Sequence, residues 1–182
     1  ILAHGGLTTR ADQLKPVLGP SLALASVGIA ISIVIVAVPL IYVFGVDTRI
    51  AILLGTVLAA TDAAAVFSVM RRIRVNERLR TLLEAEAGFN DAPVVVLVSV
   101  VAGSAWETTS GWMIPIYVVA ELIGGAAVGI AVGYLSRLVL RRLALPAVGL
   151  YPIAALAMIV FAYGFASFLH SSGFMAVYLS AV

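Results

Sequence analysis

The sequence contains no cysteine. Disulfide bonds, thiolate metal centres and cysteine nucleophiles are therefore excluded. Histidine is nearly as scarce: His4 and His170 stand 166 positions apart, which is no zinc-ligand spacing. Charge is thin as well. Asp, Glu, Lys and Arg make up 11% of the 182 residues, where an ordinary soluble domain carries about 25%. What fills the chain instead is apolar, with 63% hydrophobic residues and a mean hydropathy of +1.15. These values describe a polytopic, all-helical membrane protein. The net charge of +2 comes from arginines clustered between apolar runs. That is a pattern of membrane topology, not of nucleic-acid binding.

A helix needs about 20 apolar residues to cross a hydrocarbon core of about 30 Å. On that measure five complete crossings are expected, at 21–44, 50–70, 82–102, 113–138 and 148–168. Partial helices are expected at 1–7 and 174–182. The chain opens on Ile1 with no charged region leading into a signal-type segment, and it closes on Val182 inside an apolar run. Residues 1–182 thus read as a fragment of one transmembrane domain, cut within a helix at both ends.

The basic residues test this division. Linkers at 8–20, 71–81 and 137–146 carry Arg10 and Lys15, then Arg71, Arg72, Arg74, Arg78 and Arg80, then Arg137, Arg141 and Arg142. The alternate linkers, at 45–49, 103–112 and 169–173, carry only Arg49. The positive-inside rule places the Arg-rich set in the cytoplasm, and the expected location is a bacterial plasma (inner) membrane.

Two carboxylates then stand out. Asp62 interrupts the small-residue run Leu58-Ala59-Ala60-Thr61-Asp62-Ala63-Ala64-Ala65, and Asp91 follows Asn90 within Glu86-Ala87-Gly88-Phe89-Asn90-Asp91-Ala92-Pro93. A carboxylate at bilayer depth costs roughly 2.5–3.5 kcal/mol on insertion scales, so such residues mark ion or proton paths. The span at 50–70 has its midpoint near Ala60 and Thr61, and the span at 82–102 has its midpoint at Ala92. Joined by a short basic linker, the two helices are expected to pack antiparallel with both acidic pairs near the midplane. This depth matching makes one site of two odd residues.

The chemistry follows from the residue types. Alanines around Thr61 and Asp62 let another backbone approach closely. A polar pair in mid-span suggests a discontinuous helix whose freed backbone groups face a cavity or a polar partner. Asp62 would cap exposed N–H groups and offset a half-helix dipole. Thr61 would offer carbonyl and hydroxyl oxygens to a cation. The alternative is an intact helix whose Asp62 pairs with a neighbouring polar group. In the other helix Pro93 has no N–H, which removes the usual helical donor to the Phe89 carbonyl beside Asp91. Removal from water penalises a bare carboxylate, while a bound cation restores it. A group so placed holds a proton or a cation, seldom both, and that competition is the minimum a proton-coupled exchanger requires. Asn90 adds a neutral amide that orients the site. The alternative is a protonated Asp91 satisfied by a neighbouring helix.

Other polar residues carry less. Glu86 lies four residues before Asn90 on the same helical face; it suits a structural or access role with a cationic partner in sequence outside these 182 residues. Glu84 reads as an interfacial charge, and the function of Glu121 stays open. Gly125, Gly129 and Gly133 form a stripe for close helix packing. His170, Ser171 and Ser172 fall in an expected external turn, which argues against a catalytic role, and the chain is not read as an enzyme. No cofactor motif is found.

Gly5-Gly6-Leu7, the Thr61-Asp62 helix, Glu84-Ala85-Glu86-Ala87-Gly88-Phe89-Asn90-Asp91 and Ser172-Gly173-Phe174-Met175-Ala176-Val177-Tyr178 together resemble the monovalent cation:proton antiporter superfamily, in its NhaP-like branch with bacterial potassium:proton antiporters of the CvrA type. The resemblance runs over essentially the whole chain. It implies a core of inverted repeats with crossing, broken helices, alternating access and a homodimer. It implies that Asp91 is shared by Na⁺ or K⁺ and H⁺, that Thr61 and Asp62 belong to the broken helix, and that Glu86 is a helix glutamate paired with a distant arginine. Asn90, where electrogenic relatives have a second Asp, implies electroneutral exchange. Two positions depart from the pattern: Ala87 replaces a frequent Ser or Gly, and His4 replaces a frequent acid. The second repeat is expected beyond Val182, so these residues alone should not transport.

The expected function is secondary exchange of a monovalent cation for H⁺. An intramembrane aspartyl protease is the rival from another class, since two facing aspartates can share a proton. Those enzymes resemble a YD plus GxGD pattern, against Thr-Asp and Asn-Asp here. A cation channel is a third reading, without a filter-like loop to support it.

Overall fold

A computed structural model of the chain describes residues 3, 6–7, 11–70, 75–142 and 149–182, with backbone alone at 11, 63, 64, 67 and 70. Most of the expected helix tail at 1–7, including His4 and Gly5, lies outside the described residues. So do Arg10, Arg71, Arg72, Arg74 and positions 143–146 of the third basic linker. The described residues form helices and turns, with no strand among them.

After a single helical turn at Ala11–Leu14 and a 3-10 turn at Lys15–Val17, helix α1 runs over Leu18–Tyr42. Gly45, at φ +64°, supplies the left-handed residue that turns the chain. Helix α2 covers Thr48–Leu58, and Asp47 caps it by accepting from the Arg49 and Ile50 N–H groups at 2.9 and 3.3 Å. The helix then stops. Residues 59–62 leave the helical path, and α3 resumes at Ala63–Met70. The expected discontinuity around Thr61 and Asp62 is present, although the stretch contains neither glycine nor proline.

Helix α4 spans Glu77–Ala102 and begins five residues before the apolar stretch at 82. Apolar counting misses this first part because Glu77, Arg78 and Arg80 occupy it. The Asn76 cap, accepting from the Arg78 N–H at 2.9 Å, and the Arg80–Glu84 ion pair at 2.9 Å support helix there instead. Helices α5 (Ile114–Arg142), α6 (Leu150–Phe168) and α7 (Gly173–Ala181) follow. Helix α5 continues past 138 because long arginine side chains can carry their charge away from the apolar segment.

Among the described residues four stretches are long and apolar enough to cross a membrane: Asp12–Tyr42, Glu77–Ala102, Gly111–Arg142 and Leu150–Phe168. The 11-residue α2 is too short to do so alone, since it extends only about 16 Å at 1.5 Å per residue.

Packing divides the chain into two compact units, residues 12–119 and residues 1–11 with 120–182. In the first, α4 contacts α1, α2 and α3, and α1 lies along α2. The apolar window of α4 is 56% buried, against 17% for that of α1. Small residues let the backbones meet: a Cβ on Gly55 of α2 would stand 3.0 Å from the Ile33 carbonyl oxygen of α1. The Ser21 hydroxyl donates to the Val17 carbonyl at 2.7 Å and reaches the Leu82 carbonyl of α4 at 3.3 Å.

In the second unit α5 lies against α7 through its glycine stripe. A Cβ on Gly129 would meet the Ala176 carbonyl oxygen at 2.7 Å, and one on Gly133 would meet the Ser180 Cα at 3.1 Å. Ser172 begins α7 by accepting from the Met175 N–H at 3.3 Å, and its own N–H donates to the Glu121 carbonyl at 3.0 Å. Ala162 and Ala166 of α6 join Val132 and Ala176 in a small apolar core.

Candidate ion and proton site

The break between α2 and α3 is built by hydrogen bonds on both sides. The Ala59 N–H still reaches the Gly55 carbonyl at 3.0 Å, and the Ala60 N–H reaches the Val57 carbonyl at 3.4 Å. On the other side Asp62 Oδ1 accepts from the Ala65 N–H at 3.1 Å, and the Asp62 carbonyl accepts from the Val66 N–H at 3.0 Å. Asp62 is thus the N-cap of α3, and its charge lies at the positive end of that helix dipole. Thr61 sits in the break itself, exposed.

Two apolar contacts fix the break beside α4. Ala59 packs with Val94, together with Ile29 of α1, and Val66 of α3 packs on Ala87. Asn90 and Asp91 lie between Ala87 and Val94 on α4. The four residues that depth matching joined, Thr61, Asp62, Asn90 and Asp91, therefore occupy one level of one unit. Asp91 is half-buried, within electrostatic reach of both Asp62 and Glu86.

Asn90 is 3% exposed. Its Nδ2 donates to Glu86 Oε1 at 3.3 Å, so the four-residue spacing joins these two side chains on one helix face. Among the described residues its Oδ1 is buried with no hydrogen-bond partner. Glu86, expected to need a cation elsewhere, accepts here from its own helix. Pro93 lies inside α4 without ending it, since the helix continues to Ala102. Glu84 is held by Arg80, and Glu121 belongs to the other unit. No group of three or more His, Cys, Asp or Glu residues suited to a metal ion occurs among the described residues. Any cation here would be held by mixed oxygens: carboxylate, amide, carbonyl and hydroxyl.

The family model described as sodium/hydrogen exchanger, transmembrane, matches residues 1–182, the entire chain. The chain belongs to the sodium/hydrogen exchanger family. Its exchanger relatives include the K(+)/H(+) antiporter NhaP of Alkalimonas amylolytica, 34% identical over 98% of this chain and 32% of the relative. The K(+)/H(+) antiporter NhaP2 of Shewanella oneidensis is 32% identical over the same shares. The Na(+)/H(+) antiporter ApNhaP of Aphanothece halophytica is 34% identical over 75% of this chain and 27% of its own length. The chain spans about a third of the curated exchangers it matches. The sodium proton antiporter MjNhaP1 of Methanocaldococcus jannaschii, solved at pH 8, shares the fold with a TM-score of 0.77. That match has 24% identity and covers all of this chain and 45% of the exchanger structure. Membership of this family makes the chain part of an integral membrane protein.

Proposed function

We propose that the whole protein to which these residues belong exchanges Na⁺ or K⁺ for H⁺ by alternating access, with proton and cation competing at Asp91. The observation that carries this reading is the break at 59–62 lying level with Asn90 and Asp91. Asp62 caps a half-helix terminus within electrostatic reach of Asp91, and the neighbouring Asn90 has a buried amide oxygen with no partner among the described residues. Asp91 takes the proton or the cation. Thr61 and Asp62 supply further oxygens, and Asp62 also holds the start of α3. Asn90 presents Oδ1 while Glu86 fixes its Nδ2. One titrating carboxylate beside a neutral amide supports one-for-one, electroneutral exchange. The motif resemblance implies a homodimer, bacterial relatives support an inner-membrane location, and the positive-inside rule puts the Arg-rich linkers on the cytoplasmic side.

The test uses the full-length protein in vesicles loaded with a pH-sensitive dye. Adding Na⁺ or K⁺ should change the internal pH, and the rate should not respond to an imposed membrane potential. No cation-evoked change would remove the reading, and peptide-bond cleavage without ion movement would point to the protease class.

Asp62 has two separable jobs. Asp62→Asn keeps an oxygen for the Ala65 N–H and loses the charge, whereas Asp62→Ala loses both. Asn caps a helix about as well as Asp, and Ala costs about 1 kcal/mol. The expected result is a melting temperature unchanged in the Asn variant and lowered in the Ala variant. Cation KM should rise roughly 10–100-fold in both, the worth of one charged ligand contact. A normal KM in Asp62→Asn would leave Asp62 as a cap alone.

A further inference from the structure

Arg49 is the only lysine or arginine in the linkers opposite the Arg-rich set. Its side chain is about one-third exposed and reaches the end of α4. Nε donates to the Val101 carbonyl at 2.7 Å, and Nη2 donates to the Ala102 and Gly103 carbonyls, both at 2.9 Å. Nη1 lies 3.4 Å from Glu107 Oε1. The last carbonyls of a helix have no intrahelical donor and carry the negative end of its dipole. A planar guanidinium with several fixed donors satisfies three neighbouring carbonyls where a lysine ammonium offers a single point.

These bonds complete a two-point attachment. At its first turn α2 is tied by Arg49 to the C-terminal end of α4, and where α2 stops, Ala59 packs on Val94. Between these points Gly55 brings α2 against α1. The first half of the broken helix is thereby fixed along α4 as far as Ala59, where the break begins. We propose that Arg49 is a positioning residue: it sets the register of α2 on α4 and so the place of Thr61 and Asp62 against Asn90 and Asp91. It touches neither ion. Its effect on transport rests on the proposed exchange site, whereas its effect on register does not.

The experiment uses the full-length protein, in a background without other cysteines, with spin labels at Thr48→Cys and Ser104→Cys, both exposed positions. The parent should give one narrow distance distribution, and Arg49→Ala a broadened or shifted one. In vesicles Arg49→Ala should raise the cation KM about tenfold, the scale of a lost charge-assisted hydrogen bond, with Vmax per folded molecule little changed. Arg49→Lys should recover part of both effects and reports them if the alanine variant does not accumulate. Glu107→Gln, which removes only the long contact, should behave as the parent. An unchanged distance distribution in Arg49→Ala overturns the proposal, as does a transport loss that merely follows the amount of folded protein. If the parent exchanges no cation yet the distances respond as expected, the clamp stands and the exchange reading falls.

Discussion

Asp91→Asn is expected to reduce cation-evoked proton movement to background in vesicles of the full-length protein. The side chains are nearly the same size, so folded yield and melting temperature should match the parent, but an amide neither releases a proton nor balances a cation. Asp91→Glu keeps the carboxylate and displaces it, so partial exchange with an altered pH profile is the expected outcome. The sign of the pH dependence follows from competition. As pH falls, more of Asp91 holds a proton and the apparent cation KM rises, toward a limit of about tenfold per pH unit for one proton displaced by one cation. As pH rises, KM falls to a plateau once the carboxyl is deprotonated, and the supply of protons then limits turnover. Rates measured over a grid of pH and cation concentration check this. Full exchange in Asp91→Asn, or a KM indifferent to pH, would place the carrier elsewhere.

Gly129→Leu is expected to abolish accumulation of folded protein. Even a single methyl group at this position meets backbone, the Ala176 carbonyl oxygen at 2.7 Å and the Ala176 Cα at 2.9 Å, as well as the Leu179 Cβ at 3.1 Å. A flexible side chain can swing aside, but the backbone of α7 moves only with the helix. Overpacking of this kind costs about 1–3 kcal/mol for small insertions, so Gly129→Ala should lower both yield and melting temperature. Gly164→Ala is the matched control. Nothing lies within 4 Å of a Cβ there, and alanine favours helix over glycine by about 1 kcal/mol, so its stability should hold or rise. Size-exclusion profiles and thermal melts of the full-length protein decide. A normal Gly129→Leu would mean that α5 and α7 do not pack this closely.

Much of this was legible in the residues because lipid leaves so few solutions for a backbone. The break at Thr61 and Asp62 could be read from a polar pair in an alanine run, and the Asp62 cap from what a carboxylate does at a helix start. The link between Glu86 and Asn90 was legible as a four-residue spacing. The beginning of α4 was not, because hydropathy reports the lipid-facing part of a helix and is silent on an amphipathic first turn. Asn76 before Glu77 was the available signal. The role of Arg49 was hidden for a different reason. Its acceptors are main-chain carbonyls 52–54 residues away, and carbonyls leave no mark in a sequence. Counting charges by linker registered it only as an exception.

The central position of α4 has a consequence for how the protein is made. Of the four membrane-length stretches among the described residues it is the least apolar and the most buried, and it carries Glu77, Arg78, Arg80, Glu84, Glu86 and Asp91 along its length. Such a segment gains little by leaving the insertion machinery alone. Its carboxylates become tolerable once α1 and the two short helices are beside it, so its release into lipid should wait for these earlier segments. The helix that carries the carboxylate proposed to exchange is, among the described membrane-length stretches, the one least able to enter a bilayer unaided, and its chaperones are encoded immediately upstream of it.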